Sequence, residues 1–208
     1  MHAILLHGMG RTPISMLLLA SRLRAAGITP RLFAYSAAFE HWENCVTRLA
    51  GFIKKKTDDD HYILIGHSLG SVLIRGVLPR LSLQPVACFF LAPPTKACMA
   101  ARKFAPRRIY KIFTGEMGQL LATADFMDSL PLPQVPTRIY AGTGGPCGRF
   151  SPFGAALNDG ILALHETELP ATTQQLVSGL HTFLMNKREV AHDIVVYTQS
   201  LFQASPKL

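Results

Sequence analysis

The chain has 208 residues, of which 49% are hydrophobic and only 16% charged, and its formal net charge is +8. This length fits one domain, and the apolar fraction excludes a disordered chain. No run of about 18 apolar residues occurs, so we expect no transmembrane helix. Met1–Leu6 leads straight into a motif. We therefore expect no secretory signal and a cytoplasmic protein.

Short apolar runs alternate with segments of helical periodicity along almost the whole chain. The apolar runs predict six strands: His2–Leu6, Arg31–Tyr35, Tyr62–Ile65, Val86–Leu91, Thr137–Ala141 and Gln174–Leu180. Helical spacing predicts helices around Met16–Leu23 and over Trp42–Lys56, Leu69–Leu81 and Arg188–Phe202. Such alternation is typical of βαβ units. It predicts an α/β fold, a three-layer doubly wound and mostly parallel sheet with helices on both faces.

Two segments interrupt this alternation. Residues 93–136 are long, basic and helical in character, and residues 142–159 are rich in glycine and proline. Both follow predicted strand ends, where the loops of open α/β sheets build binding sites. We therefore expect residues 1–208 to form a single domain in which residues 93–136 are a short helical insertion, a candidate cap or lid.

The insertion carries most of the excess positive charge. Six cations and no acidic residue lie between Lys96 and Lys111. One interpretation is a solvated amphipathic surface. A second is attraction to anionic lipid headgroups, as in peripheral membrane contact, or to an acidic substrate. No nucleic-acid recognition motif accompanies the charge, so we do not expect a nucleic-acid partner.

The four cysteines predict a reducing compartment. Cys45, Cys88, Cys98 and Cys147 show no C-x-x-C spacing, and Cys88 lies within an apolar run. We interpret all four as free thiols.

The strongest chemical motif is Gly66-His67-Ser68-Leu69-Gly70. It lies between a predicted strand and a predicted helix, the context that a nucleophile elbow requires. A serine on so sharp a turn has strained backbone angles, and side chains two residues away on either side would collide with neighbouring backbone. We therefore predict Ser68 to be a nucleophile, with His67 as part of the motif.

A second glycine motif, His7-Gly8-Met9-Gly10, follows the first strand. The oxyanion of a tetrahedral intermediate needs two preorganised N–H donors. We predict these donors to be the backbone N–H groups of Met9 and of Leu69. Gly8 and Gly10 would let the backbone approach the substrate. The alternative is an ordinary turn that needs glycine.

A nucleophilic serine needs a base, and on this topology the acid and then the histidine follow the serine in the chain. His181 follows the last predicted strand directly, a suitable position for a general base. His165 comes at the end of the apolar run Ile161–Leu164 and is expected on a strand. His192 lies in a helical stretch, where a surface role is expected.

Asp159 is the favoured acid because it lies in an Asn-Asp-Gly turn 22 residues before His181. The alternative is a solvated turn, which these residues form readily. Asp125 and Asp128 lie in the insertion, and Asp193 follows every candidate base. Glu166 and Glu168 are the fallback.

Taken together, these motifs give the chain a resemblance to the minimal bacterial lipase/esterase branch of the α/β-hydrolase superfamily. The resemblance runs from His2 to about Phe202 and rests on the HG loop at His7-Gly8, the GHSLG elbow, Asp159 and His181. It implies a minimal α/β-hydrolase fold and hydrolysis of carboxylic esters without a metal or cofactor. In this family the place of residues 93–136 is taken by variable caps.

The substrate is expected to be a small-molecule or lipid ester. Apolar residues near the elbow and in the insertion suggest an apolar acyl group, although such residues are also common in cores. They are Phe89, Phe90, Phe104, Ile109, Phe113, Leu120, Leu121 and Phe126. Two rival functions stay open. One is an acyltransferase or thioesterase with the same triad. The other is a non-catalytic binding or membrane-associated protein that uses the scaffold.

Overall fold

A computed structural model of the chain describes residues 1–58, 60–149 and 151–204. These residues contain one six-stranded sheet in which all neighbouring strands are parallel. The strands are β1 (His2–Leu6), β2 (Thr29–Phe33), β3 (Tyr62–His67), β4 (Ala87–Leu91), β5 (Thr137–Gly142) and β6 (Thr173–Val177). The α-helices are α1 (Leu17–Ala25), α2 (Trp42–Thr57), α3 (Leu69–Val77), α4 (Met99–Phe104), α5 (Arg108–Leu120), α6 (Ala124–Ser129) and α7 (Arg188–Ala204).

The sheet is covered on both faces, as its apolar strands require. Along β3, Leu64 packs into one hydrophobic layer, whereas Ile63 and Ile65 pack into the other. Helices α2 and α3 cover the first face, and α1 and α7 cover the second. The predicted three-layer arrangement is therefore confirmed.

The strand order is β2-β1-β3-β4-β5-β6. From β1 the chain adds β2 on one side and then crosses to build β3 to β6 on the other, which is doubly wound topology. The carboxyl ends of β1 and β3 are neighbours at the point where the winding reverses. Ligand sites of open α/β sheets form at this position. The loop after β1 and the elbow after β3 therefore meet there.

Some predicted boundaries are wrong by a few residues. Strand β2 begins at Thr29 because its parallel register pairs Thr29 with His2. It ends at Phe33, so Tyr35 lies in the following loop. Helix α3 ends at Val77 and continues as a 3₁₀ turn through Arg80, consistent with the missing N–H of Pro79.

The insertion contains α4, α5 and α6 and is fastened at both ends by one arginine. Arg75, buried in α3, donates to the backbone carbonyls of Thr95, Leu130 and Pro131. Burial lowers the pKa of Arg75 to about 10, an effect that Asp128 opposes. The two ends of the insertion are thus held against the helix that follows the elbow.

The cysteine thiols are free, three of them buried and Cys147 exposed. In the described ranges, no helix combines the length and the apolar character that a membrane crossing requires.

Candidate active site

Ser68 lies on a sharp turn between β3 and α3. Its backbone angles are φ 51° and ψ −119°, a conformation that L-residues rarely adopt. The turn is held from outside, because the Ser68 N–H donates to the carbonyl of Leu91 over 2.9 Å. Strain of this kind persists where the surrounding structure enforces it, typically at functional sites.

Close packing explains the two glycines of the elbow. A Cβ on Gly66 would lie 2.5 Å from the backbone nitrogen of Ser71. A Cβ on Gly70 would lie 2.6 Å from the carbonyl oxygen of Leu6. Both contacts are with backbone that cannot move aside, so the strand, the turn and the helix fit together only without these side chains.

The loop after β1 lies directly against the elbow. A Cβ on Gly8 would come within 2.6 Å of His67 Nδ1 and 3.3 Å of Ser68 Cβ. Gly10 has a positive φ of 64°, which glycine adopts without strain. Among the described residues, neither the Met9 N–H nor the Leu69 N–H donates to a backbone group. Both donors are thus available near Ser68.

His7 and Tyr35 hold this loop in place. The Tyr35 hydroxyl donates to the His7 carbonyl over 2.6 Å, and the two rings stack with centroids 4.2 Å apart. The His7 Nδ1 is 2.9 Å from the Gly8 carbonyl, which makes it the donor. Burial lowers the pKa of His7, which is therefore neutral near pH 7.

His181 and Asp159 form a buried pair. The His181 Nδ1 is 2.7 Å from Asp159 Oδ2, and the exposed fractions are 6% for His181 and 1% for Asp159. The other carboxylate oxygen accepts the N–H groups of Ile161 and Leu162 over 2.9 and 2.7 Å. The Asp159 carboxylate is therefore fixed in position. Because it contacts only Nδ1 of His181, it does not occupy Nε2.

Ser68 and His181 line the same cavity. In the described geometry no hydrogen bond joins the Ser68 hydroxyl to the His181 ring. Such contacts in ligand-free sites are often long and shorten when substrate binds. The structure thus brings Ser68 and the His181–Asp159 pair to one cavity.

His67, in the elbow, contacts the backbone of His181. Its Nε2 lies 2.9 Å from the His181 carbonyl, which can only accept, so Nε2 carries the proton. Its Nδ1 is buried and has no hydrogen-bond partner among the described residues. Burial, and next the proximity of His181, lower the pKa of His67 to about 3. His67 is therefore a neutral group that positions the His181 backbone.

The remaining sequence candidates lie elsewhere or serve the structure. His165 is exposed in a 3₁₀ helix, Leu164–Glu166, so the strand predicted for it is wrong. His192 is exposed on α7, as predicted. Asp193 binds Arg138 over 2.7 Å and accepts the Tyr140 hydroxyl over 2.6 Å.

The fallback acids do not lie beside the His181 ring in the way that Asp159 does. Glu166 is buried and accepts the N–H of Met99 over 2.6 Å and that of Ala163 over 2.9 Å, which fastens the start of α4. Glu168 is exposed, as are Asp125 and Asp128 in α6.

The cavity around Ser68 has a volume of about 440 Å³. The insertion supplies nine of its lining residues: Pro94, Cys98, Met99, Ala100, Ala101, Lys103, Phe104, Tyr110 and Leu121. Two cations, Arg11 and Lys103, also line it. Residues 93–136 thus contribute a large share of the cavity lining.

The apolar residues predicted to surround the substrate divide into three groups. Phe104 and Leu121 line the cavity. Phe89 and Phe90 are fully buried in the sheet, and Phe126 packs against Trp42. Leu120 is half-buried against the core. Ile109 and Phe113 are instead strongly exposed on α5.

Sequence reasoning missed several groups at the site. The hydrogen bond from Tyr35 to the loop after β1 has no local signal in the sequence. The same is true of the hydrogen bonds by which Glu166 fastens the start of α4. Of the cavity-lining cations, Lys103 was noticed only as part of the basic stretch from Lys96 to Lys111, and Arg11 only as part of the overall charge.

Solved structures with the same fold include several hydrolases. Lipase BlEst2 of Bacillus licheniformis in its mature form matches with a TM-score of 0.71 and 16% identity, covering 96% of this chain and 91% of that one. A metagenomic carboxyl esterase matches with a TM-score of 0.73 and 15% identity over 100% of this chain and 76% of that one. RedJ, a thioesterase of Streptomyces coelicolor, matches with a TM-score of 0.63 and 15% identity over 96% and 85%. At this level of identity the likeness shows a shared fold.

No curated protein sequence matches the chain. The sequence model of the alpha/beta hydrolase family matches residues 3–197, nearly the whole chain. The parallel six-stranded sheet and the elbow after β3 agree with that match. The chain therefore belongs to the alpha/beta hydrolase family.

Proposed function

We propose that this protein is a carboxylic ester hydrolase of the lipase or esterase type, with Ser68 as nucleophile, His181 as general base and Asp159 as the orienting acid. One observation carries the proposal. The strained Ser68 turn lines the same cavity as a buried histidine whose Nδ1 is 2.7 Å from a fixed carboxylate.

In the proposed reaction His181 Nε2 takes the Ser68 proton while Oγ attacks the ester carbonyl carbon. The tetrahedral intermediate then collapses, and the leaving alkoxide takes the proton from His181. A water molecule, deprotonated by the same nitrogen, attacks the acyl-enzyme, releases the carboxylic acid and restores Ser68.

The oxyanion would bind the N–H groups of Met9 and Leu69. Their freedom from backbone partners among the described residues supports this role. Such donors stabilise the charge that develops in the transition state, and losing one typically reduces the rate on the order of a hundredfold or more.

Asp159 would hold the Nδ1–H tautomer of His181 and stabilise the imidazolium. Its carboxylate is well placed because two backbone N–H groups bind one oxygen and the ring binds the other. The largely apolar wall from the insertion favours an apolar acyl group.

The proposal is tested by labelling with a fluorophosphonate probe and by hydrolysis of p-nitrophenyl esters of increasing acyl length. We expect the native protein to be labelled and Ser68→Ala to lose both labelling and hydrolysis. Ser82→Ala, at an exposed serine, is the matched control and keeps both. An unlabelled native protein would favour the non-catalytic interpretation. Ester hydrolysis at native rate by Ser68→Ala would refute the assignment of the nucleophile.

A thioesterase or acyltransferase is the second candidate. Arg11 and Lys103 line the cavity, and two cations suit an anionic group such as the phosphates of an acyl-coenzyme A. The shared fold with a thioesterase is compatible with this chemistry. A comparison of acyl-coenzyme A with p-nitrophenyl esters, and of added thiol or alcohol with water as acceptor, separates the three reactions.

A further inference from the structure

One face of α5 is apolar and exposed. Ile109, Ile112 and Phe113 lie at i, i+3 and i+4, so they share one side of the helix. Their exposed fractions are 71%, 69% and 69%. Farther along α5, Thr114, Met117 and Gly118 are buried.

Cations surround this apolar face. Arg107, Arg108 and Lys111 are exposed on or beside α5, and Arg102 and Lys103 are exposed on α4. Among the described residues these five cations form no ion pair. We call the exposed apolar triad and these five cations the α4–α5 surface.

The stretch of sequence that forms the α4–α5 surface contains no aspartate or glutamate. Glu116 is the first acidic residue after Lys96, and it lies beyond a bend at Gly115, where φ is 55°. Its carboxylate accepts the Trp42 N–H over 2.9 Å and lies 3.0 Å from His41 Nδ1. Within the part of the chain that the structure describes, the positive charge of this surface thus has no ion-pair partner.

The α4–α5 surface borders the cavity that contains Ser68. Phe104 and Tyr110 line both that cavity and an outer groove formed with Arg107, Arg108, Ile109 and Phe113. The Arg107 guanidinium lies over the Phe104 ring, 5.1 Å from its centroid. Apolar contact therefore continues from the outer face of α5 to the cavity wall.

We propose that the α4–α5 surface docks on an anionic lipid bilayer, with the apolar triad entering the headgroup region and the cations binding lipid phosphates and carboxylates. Exposed apolar residues flanked by unpaired cations are the pattern that interfacial helices use. An uncharged partner would not explain the cations, and an acidic aqueous ligand would not explain the apolar stripe. The docking does not require Ser68 to react.

The test measures co-sedimentation of the protein with vesicles of phosphatidylcholine alone and of phosphatidylcholine mixed with phosphatidylserine. Ser68→Ala is the background, so lipid is not consumed and the outcome is independent of the proposed hydrolysis. We expect binding to the anionic vesicles and little to the neutral ones. Dissolved salt screens the attraction between the cations of the protein and the anionic lipids, so raising the salt concentration should weaken the binding.

Two variants of the α4–α5 surface should reduce this binding. One cation near an anionic surface contributes roughly fivefold to partitioning, so Arg108→Glu with Lys111→Glu reduces it by about 25-fold or more. Ile112→Ser with Phe113→Ser reduces it at least about tenfold. The matched controls are Lys54→Glu with Lys55→Glu on α2 and Val196→Ser on α7, all at exposed positions, and they bind like the parent.

Several outcomes would overturn the docking proposal. They are absence of binding to anionic vesicles, equal loss of binding in the control variants, and equal binding to both kinds of vesicle. A fourth is a change of oligomeric state on replacing Ile112 and Phe113 without any vesicle binding, which would assign this face to a second copy of the chain. Circular dichroism melts establish that each variant is folded.

Discussion

The elbow, residues 66–70, and the insertion, residues 93–136, meet at the same cavity but are held in different ways. At the elbow, backbone atoms of neighbouring elements lie so close that Gly66 and Gly70 cannot carry side chains. The insertion buries Met117 and Met127 in the core and is also fastened by long-range polar contacts from Arg75 and Glu166, yet its α5 leaves large apolar side chains in solvent.

Because of this difference, we expect the proposed chemistry to depend on the elbow and the choice of substrate to depend on the insertion. The position of Ser68 depends on rigid packing of strand, turn and helix. The cavity wall formed by the insertion belongs to a segment that combines buried side chains with large exposed ones. A change at the elbow should therefore affect every substrate, whereas a change in the insertion should affect selectivity or docking.

The largest expected effect is on turnover by Asp159→Asn. The asparagine keeps an oxygen for the N–H groups of Ile161 and Leu162 but presents an N–H₂ to His181. The ring would then carry its proton on Nε2 and could not accept the Ser68 proton. We expect kcat for a p-nitrophenyl ester to fall by about 10⁴-fold with the free energy of unfolding little changed.

The matched control lies in the insertion. Asp125→Asn makes the same change on exposed α6 and should leave kcat at the native value. An active Asp159→Asn protein would remove Asp159 from the mechanism.

Gly66→Ala should be the next most damaging change. Its Cβ would meet the Ser71 nitrogen at 2.5 Å, and overpacking of this kind costs up to about 3 kcal/mol of unfolding free energy. Urea titration measures the loss, and fluorophosphonate labelling measures displacement of Ser68. Gly51→Ala, in α2 with no atom near the new Cβ, should be more stable than the parent by up to about 1 kcal/mol. Equal stability of the two variants would show that the elbow is not rigid.

Arg75→Met should release the insertion while leaving the elbow intact. Three carbonyls lose a charged donor, but removing a buried cation recovers part of that cost. We therefore expect a loss of about 2 kcal/mol. Trypsin should then cleave this variant faster than the native protein, with the first cuts after the basic residues between Lys96 and Lys111.

Arg80→Met is the control for this change. It breaks an exposed ion pair with Glu43, a kind of contact worth less than about 1 kcal/mol. A native cleavage pattern in Arg75→Met would mean that other contacts hold the insertion.

The smallest expected effect is a pH dependence from His67. Its pKa is about 3 in the folded protein, lowered chiefly by burial from an ordinary 6.5. Above pH 6.5 neither state holds the extra proton. Below it the unfolded chain binds the proton and the folded one does not, so stability is lost as pH falls from 6.5 towards 3.

Over the single pH unit from 6.5 to 5.5 this loss amounts to about 1 kcal/mol. His67→Gln, which keeps a donor for the His181 carbonyl, should show a correspondingly flatter stability profile in urea titrations across this range. His192→Gln, at an exposed position on α7, should retain the native slope. Identical slopes for native protein and His67→Gln would contradict the buried, neutral state of His67.

The sequence predicted the sheet and the elbow well because both depend on local constraints. Apolar runs and helical periodicity locate six strands and the helices between them, and Gly66 and Gly70 report a turn that no other residue permits. Asp159 and His181 could be proposed because chain order and strand ends restrict the choice.

The contacts of the insertion could not be predicted because they are distant in the chain. Arg75 reaches carbonyls 20 to 56 residues away, and Glu166 binds a nitrogen 67 residues earlier. Nothing in the local sequence distinguishes these two charged residues from exposed ones. The exposure of Ile109 and Phe113 on α5 could not be predicted either, because large apolar residues of this kind are usually buried in a core.

The fastening of the insertion by Arg75 has a consequence for protein engineering. Both ends of the segment converge on one side chain of α3, so the segment is a loop closed at its base. Loops closed in this way tolerate changes in length at little entropic cost. We therefore expect segments of different length to be exchangeable between Thr95 and Leu130, provided that they replace the buried side chains of Met117 and Met127 with others of similar volume. Such exchanges would combine new recognition surfaces with an unchanged elbow.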